Sequence, residues 1–312
     1  MRITQGMLSN QVLYDIENNL QQLSRLETEA STGKRINQPA DDPIGVQNVM
    51  TDNLELAFDQ EYQQNATTAQ SQLNFVSSVM NEAQNVMSRA RDLAVEGANS
   101  TETASDMQAL ASEVGQLYDQ LVTIGNSQYN GQYIFNGANT ASAPYPAQAA
   151  NLTPDKVSGS LDPAQSVTNA GQVYMDLGNG VTLPITVSGN QFFGSQGAAN
   201  NAFSVLSQLY NALNSGDHAQ VDNLLNNLDS VIDNMNTVQA NVGALINRAE
   251  MMQTRMTDLS SSVTQQLSNV DDADMAQVLT NLNSISAVEQ ASLEVGAQAL
   301  PMSLVNFLRP GT

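Results

Sequence analysis

The sequence predicts a mainly α fold, a long antiparallel helical coiled-coil rod with a small β domain inserted in its middle. Three observations carry this. Apolar residues recur at alternating steps of three and four along Tyr62 to Ala94, Met107 to Ile124 and Val221 to Val263. That spacing keeps one apolar seam on each helix, so each stretch needs a partner helix along its length. Between the second and third ladders the period changes to two: Val173, Met175 and Leu177 alternate, Gly178-Asn179-Gly180 turns, and Val181, Leu183, Ile185 and Val187 alternate again. Finally, no proline falls between Pro184 and Pro301, which leaves the third ladder unbroken.

The elements follow in order. An amphipathic helix opens near Ser9, carries Leu13, Ile16, Leu20 and Leu23 on one face, and stops at Ser31-Thr32-Gly33. Residues 31–45 hold Gly33, Pro39, Pro43 and Gly45 and read as a loop of defined turns. Helix resumes near Val46 and runs to about Glu96, and Thr103 with Asp106 forms a capping-box pattern opening the next helix. Asn130-Gly131 and Asn136-Gly137 bracket Gln132 to Phe135, the signature of tight hairpin turns around a strand. Residues 140–172 are loop with weak strand content, and Pro184 places its strand at an edge.

Helix returns near Ala198 and breaks at Asn214 to Asp217. Asp271, Asp272 and Asp274 then mark the start of the last helix, where carboxylates suit the helix dipole. That helix carries Leu279, Leu282, Ile285, Val288, Leu293, Leu300, Leu304 and Phe307, but Glu289 and Ser292 fall where its seam would pass. The expected domains are a terminal coiled coil (1–44 with 270–312), a helical domain with a β-hairpin (45–139 with 198–269), and an inserted β domain (140–197).

Composition narrows the function classes. The 312 residues include 41% hydrophobic residues, enough for a real core and a soft expectation of two domains. Ten basic against 31 acidic residues give a net charge of −21, a field that repels nucleic acid and anionic lipid, so neither is an expected partner. Cysteine is absent, which removes disulfides, thiolate metal sites and a Cys nucleophile. The opening residues lack a signal-peptide apolar core and no segment has the length of a membrane span, which favours the cytoplasm unless a specialised exporter reads the N-terminus.

No catalytic, cofactor or metal residue is expected, and no small-molecule substrate. His218 is the single histidine and reads as an ordinary exposed residue. The Asp271, Asp272, Asp274 run lacks the turn glycine and terminal Glu of a calcium loop. Arg89 and Arg91 read as solvated or paired to nearby acids, and the thirteen methionines as seam filler.

STGKRINQPADDPIG at 31–45 resembles the N-terminal turn of the bacterial flagellin superfamily, through Gly33, Arg35, Asn37, Pro39, Asp41, Asp42 and Pro43. RARDLAVEGANS, with Arg89 and Leu93, and SQYNG, with Asn130 and Gly131, are similar to that superfamily's helix, turn, helix and hairpin segment. QASLEVGAQALPMSLVNFL at 290–308 is similar to its C-terminal helix. Flagellins proper usually follow the paired aspartates with small residues. Pro43-Ile44 and the GQYIFNG hairpin are closer to the hook–filament junction branch.

The resemblance implies a structural protein exported unprocessed through the flagellar type III apparatus, with a chaperone masking its C-terminal helix. It would act outside the cell, between the first hook-associated protein and the flagellin filament, in contact with copies of itself. Assembly would use terminal helices 1–40 and 272–312 through Leu13, Ile16, Leu20, Leu23, Leu293, Leu300, Leu304 and Phe307. The rivals are flagellin, the filament subunit itself, and a cytoplasmic coiled-coil adaptor; an enzyme is third. Arg89, Leu93 and Glu113 also match positions through which some flagellins are sensed by an innate immune receptor, and we assign them to holding the helices together.

Overall fold

The computed structural model describes residues 5–146, 162–178 and 180–307, with side chains other than those of residues 5, 6, 8, 9 and 298–307. Two units emerge: Met1–Phe58 with Leu259–Thr312, and Asp59–Asp258. Two long helices, α2 (Pro43–Gly97) and α6 (His218–Asp271), contribute to both units.

The second unit is built on the ladders. Ala66, Ala69, Leu73, Val76, Met80, Ala83, Met87, Ala90 and Ala94 of α2 are buried, as are Val221, Leu224, Leu228, Val231, Met235, Val242, Ala249, Met252 and Met256 of α6. Beside this seam runs a row of polar cross-links. Gln63 bonds Thr257, Gln253 bonds Thr67, Gln239 bonds Asn81, Gln84 bonds Asn236, and Arg91 pairs with Asp229. Every step along α2 is matched by an equal and opposite step along α6, so the helices are antiparallel in one constant register. Each rung follows a seam position by one residue, so the row flanks the apolar contact on one side. On the other flank Val79, Val86 and Leu93 are buried as well, which widens the apolar face of α2 beyond a two-helix seam.

Helix α3 (Ala104–Gly125) starts with a complete capping box, Thr103 accepting from the Asp106 amide while Asp106 accepts from the Thr103 amide. Its buried face is Met107, Ala111, Val114, Tyr118, Leu121, Val122 and Ile124. The sequence ladder placed Leu110 and Leu117 there instead, and both are only half-buried. The face turns toward α5 (Ala202–Ser215), whose Phe203 meets the Tyr118 ring edge-on at 6.1 Å.

After α3, strands β1 (Gln128–Tyr129) and β2 (Gln132–Tyr133) pair across Asn130-Gly131, whose φ angles of 51° and 77° are those of a two-residue hairpin turn. A second hairpin, β3 (Tyr174–Asp176) and β4 (Thr182–Pro184), is also a two-stranded sheet. It is docked on α2 by Asn65 donating to the Asp176 carbonyl and Gln72 donating to the Ile185 carbonyl. The short helix α4 (Gly189–Phe192) follows, and Asn234 of α6 donates to the Gln191 and Phe192 carbonyls at its end. Phe135, Tyr145, Phe192, Phe193 and Phe203 form one aromatic cluster at ring separations of 4.6 to 5.6 Å. Burial among these rings pushes the Tyr145 hydroxyl well above its usual range. His218 is half-buried rather than exposed: Nδ1 lies 2.8 Å from the Gly97 carbonyl, so the ring ties the end of α2 to the start of α6.

In the first unit, α1 (Gln5–Thr32) packs against α7 (Met275–Phe307). Asn19 donates to the Ser292 hydroxyl, and Gly296 lies against Ile16 and Val12, so the two helices run antiparallel.

Candidate functional site: the connectors and the terminal helix pair

Two connectors join the terminal helices to α2 and α6, and within the first unit they are stitched to each other. Helix α1 ends at Gly33, whose φ of 71° turns the chain out of the helix without a Cβ penalty. The Gly33 carbonyl then accepts from the Ala273 amide, and the Arg35 amide donates to the Asp271 carbonyl at 2.6 Å. Lys34 Nζ lies 2.6 Å from Asp271 Oδ2, a carboxylate that is almost wholly buried. Arg35 donates twice to the Val270 carbonyl through Nε and Nη2, and Nη2 also reaches Asp42 at 3.2 Å.

The rest of the 33–45 loop is held by its own side chains. Asp41 Oδ2 accepts from the Asn37 and Gln38 amides, and Asn37 Nδ2 returns a bond to the Lys34 carbonyl. Asp42 Oδ1 accepts from the Gly45 amide at 2.9 Å, capping α2 ahead of Pro43 at its first turn. That bond, with Arg35 beside it, holds the Asp42 carboxyl below the usual carboxylate range. A Cβ at Gly45 would meet Ile36 and the Asp42 carboxyl, so the loop and the first turn of α2 are in direct contact here. Pro39, at the tip of the motif, is exposed.

In the α6–α7 connector the three aspartates do different work. Asp274 accepts from the Ala276 and Gln277 amides and caps α7. Asp272 accepts from the Ser268 hydroxyl. Asp271 does not cap; it receives Lys34. No group of three His, Cys, Asp or Glu suited to a metal occurs among the described residues.

The residues assigned to assembly divide into two sets. Ile16 and Leu23, one heptad apart, are half-buried and face the helix partner, whereas Leu13 and Leu20, also one heptad apart, are 46% and 48% exposed. On α7, Leu293 is 52% exposed and joins Leu279, Val288 and Val295 as open apolar surface. Leu300, Leu304 and Phe307 belong to helix α7, but their side chains lie outside the described residues.

A sequence profile for the bacterial flagellin N-terminal helical region matches residues 3–140, and one for the C-terminal helical region matches residues 225–308. This chain belongs to the bacterial flagellin family. Among its relatives, flagellar hook-associated protein 3 of Salmonella typhimurium is 25% identical over 331 aligned residues, covering 99% of this chain and all of that protein. The Escherichia coli protein of the same name is 25% identical over 317 residues, covering 97% of this chain and 98% of its own. Among solved structures, a flagellar hook-associated protein of Vibrio parahaemolyticus superposes with a TM-score of 0.64 at 18% identity, covering 74% of this chain and all of that one.

In this flagellin-family chain, the matched regions leave residues 141–224 between them, the block holding β3, β4, α4 and α5. Arg89 and Leu93 both make contacts within the second unit. Arg89 Nε pairs with Glu113 Oε1 at 2.7 Å, tying α2 to α3, and Leu93 is fully buried. The partnership of Lys34 with Asp271 was missed by sequence reasoning, as were the double bond from Arg35 to Val270 and the role of His218. A lone lysine beside the loop and a buried-type aspartate some 237 positions away offer no local signal.

Proposed function

We propose that this chain is a structural protein of the bacterial flagellum that joins the hook to the flagellin filament. It associates helically through its terminal helices, with the first hook-associated protein below it, flagellin above it, and copies of itself alongside. The observation that carries this reading is the open apolar surface on the α1–α7 pair: Leu13, Leu20, Leu293 and Val295 stay about half exposed although both helices are already paired. A two-helix unit that keeps a second apolar face in water has surface suited to further helices. A ring or helix of subunits needs heterologous contacts, one face meeting a different face of the next copy. The site is extracellular, reached by export without a cleaved signal peptide and with a chaperone on the C-terminal helix. Nothing in the mechanism calls for catalysis.

Immunogold electron microscopy of intact cells, with antibody against residues 140–195, tests the placement. A narrow band at the distal end of the hook is the expected result. Label along the whole filament would make the chain a filament subunit, and label confined to the cell body would favour the adaptor. Leu20→Asp, on the outward face, is expected to abolish incorporation while leaving the second unit folded.

A further inference from the structure

The dipeptide Asn-Gly occurs at 130–131 and again at 136–137, and the fold surrounds the two in opposite ways. Asn130 is exposed, and its side chain makes no hydrogen bond among the described residues. Gly131 is exposed as well, with nothing within 4 Å of where a Cβ would stand. Asn136, by contrast, is 6% exposed and both ends of its amide are held. Its Nδ2 donates to the Ser142 carbonyl and hydroxyl, and its Oδ1 accepts from the Asn169 amide. A Cβ at Gly137 would collide with the Asn169 and Gly171 carbonyl oxygens, so the backbone beside the Asn136 side chain is walled in. The asparagine of a third pair, Asn179-Gly180, lies outside the described residues.

We propose that Asn130 is a site of spontaneous deamidation, with water as the co-reactant, and that Asn136 is shielded from the same reaction. Glycine lacks the Cβ that would hinder approach of its nitrogen to the preceding side chain. The Gly131 nitrogen gives its proton to hydroxide and attacks Asn130 Cγ. A C–N bond forms there, the Cγ–Nδ2 bond breaks, and Nδ2 leaves as ammonia with a proton from solvent. Water then opens the cyclic imide. Cleavage on the Cγ side leaves aspartate, and cleavage on the backbone-carbonyl side leaves isoaspartate. Nothing is oxidised or reduced: an amide nitrogen is exchanged for an oxygen, and one negative charge is gained.

The two products differ in what they do to the hairpin. Aspartate leaves the backbone path unchanged. Isoaspartate routes the backbone through the side chain and adds a methylene to a two-residue turn whose φ angles are both positive. The pairing of Gln128 with Tyr133 and of Tyr129 with Gln132 then loses its register. The contact of the Tyr129 ring with Phe75 of α2, at 5.3 Å, loosens with it, while Ile134 and Phe135 stay in the core. Isoaspartate at residue 130 is thus an age mark that opens one hairpin and spares the helices.

Mass-spectrometric peptide mapping of the full-length chain, held at mildly alkaline pH with and without urea, tests the site. In the folded chain, Asn130 is expected to convert about tenfold or more faster than Asn136, which must first open locally. In urea the two rates should become comparable. Equal or slower conversion at Asn130 in the folded chain would overturn the proposal, as would a ratio that urea leaves unchanged. Hydrogen exchange then compares the aged chain with Asn130→Asp. Faster exchange over residues 128–133 in the isoaspartate form alone is expected, and retained protection there would refute the loss of register.

Discussion

Lys34 Nζ and Asp271 Oδ2 meet at 2.6 Å, and through them the connector leaving α1 is fastened to the connector entering α7. The lysine is about half exposed while the carboxylate is 3% exposed, so the pair is asymmetric. Removing the lysine strands a buried charge, whereas removing both partners does not. Lys34→Met is therefore expected to destabilise the first unit by about 1–2 kcal/mol, discounted for the exposed side of the pair. The double variant Lys34→Met with Asp271→Leu should recover part of that loss. A double-mutant cycle in urea, with a probe in α1, measures the coupling.

Two glycines on long helices should respond in opposite directions. Gly45→Ala would drive a Cβ into Ile36 and the Asp42 carboxyl and is expected to cost about 1–3 kcal/mol. Gly243, inside α6, has nothing within 4 Å of the same position. Gly243→Ala should stabilise by roughly 0.5–1 kcal/mol, because alanine loses less backbone entropy in a helix. Thermal melts of the two single variants decide this.

The acid response has two components of opposite sign. Asp42 is held below its ordinary value by the Gly45 amide and by Arg35, so its stabilising contribution is present above that ordinary value. It is lost as pH falls through the lower, folded value. Asp59 is pushed up by burial, so its contribution is present at low pH and is lost as pH rises through its folded value. Asp59→Asn should accordingly stabilise the chain at pH 7, while Asp42→Asn should flatten the loss of amide protection in residues 33–46 below about pH 4. Hydrogen exchange followed across an acid titration of both variants checks the two signs separately.

In the second unit the apolar seam should outweigh the Arg91–Asp229 ion pair. Arg91 and Asp229 are 42% and 48% exposed, so Arg91→Ala is expected to cost under about 1 kcal/mol. Leu73 and Leu228 are fully buried, and either leucine changed to alanine should cost roughly 2–5 kcal/mol. Denaturant midpoints of the three variants rank the effects.

Heptad spacing made the helices legible because burying an apolar seam stabilises them more than any other interaction they make. Leu73, Met80, Leu228 and Met235 all occupy the buried positions their spacing assigned. Where the pattern faltered, a third surface was the cause. Val238 and Leu245 keep the heptad period yet are only half-buried, and both line a cleft of about 720 Å³ beside Gln172, Ser188 and Asn200. The face of α3 shifted to include Ala111 and Tyr118 because α5 lies against it. Asn130-Gly131 was readable from local chain geometry, and so was the Thr103 cap. The aromatic cluster was not: Phe192 and Phe193 are adjacent and aperiodic, and Tyr145 reaches them from a loop. The stitched connectors were hidden for a related reason. The loop motif announced turns, but its partners stand at the far end of the chain, and periodicity carries no information about such pairings.

The polar rungs between α2 and α6 set a rule for insertions and deletions. Gln63 with Thr257 and Arg91 with Asp229 belong to one register, so a residue lost from one helix between them would misalign every rung beyond it. Length in this region can change only in both helices together, and by whole heptads if the seam is to stay closed. The block between Asn126 and Ala202 carries no rung of that register; its rings Tyr145 and Phe193 pack on Phe203, and Asn65 and Gln72 dock its second hairpin on α2. Its loops can therefore change length without shifting the α2–α6 register, provided that Phe135, Tyr145, Phe192 and Phe193 keep their places against Phe203.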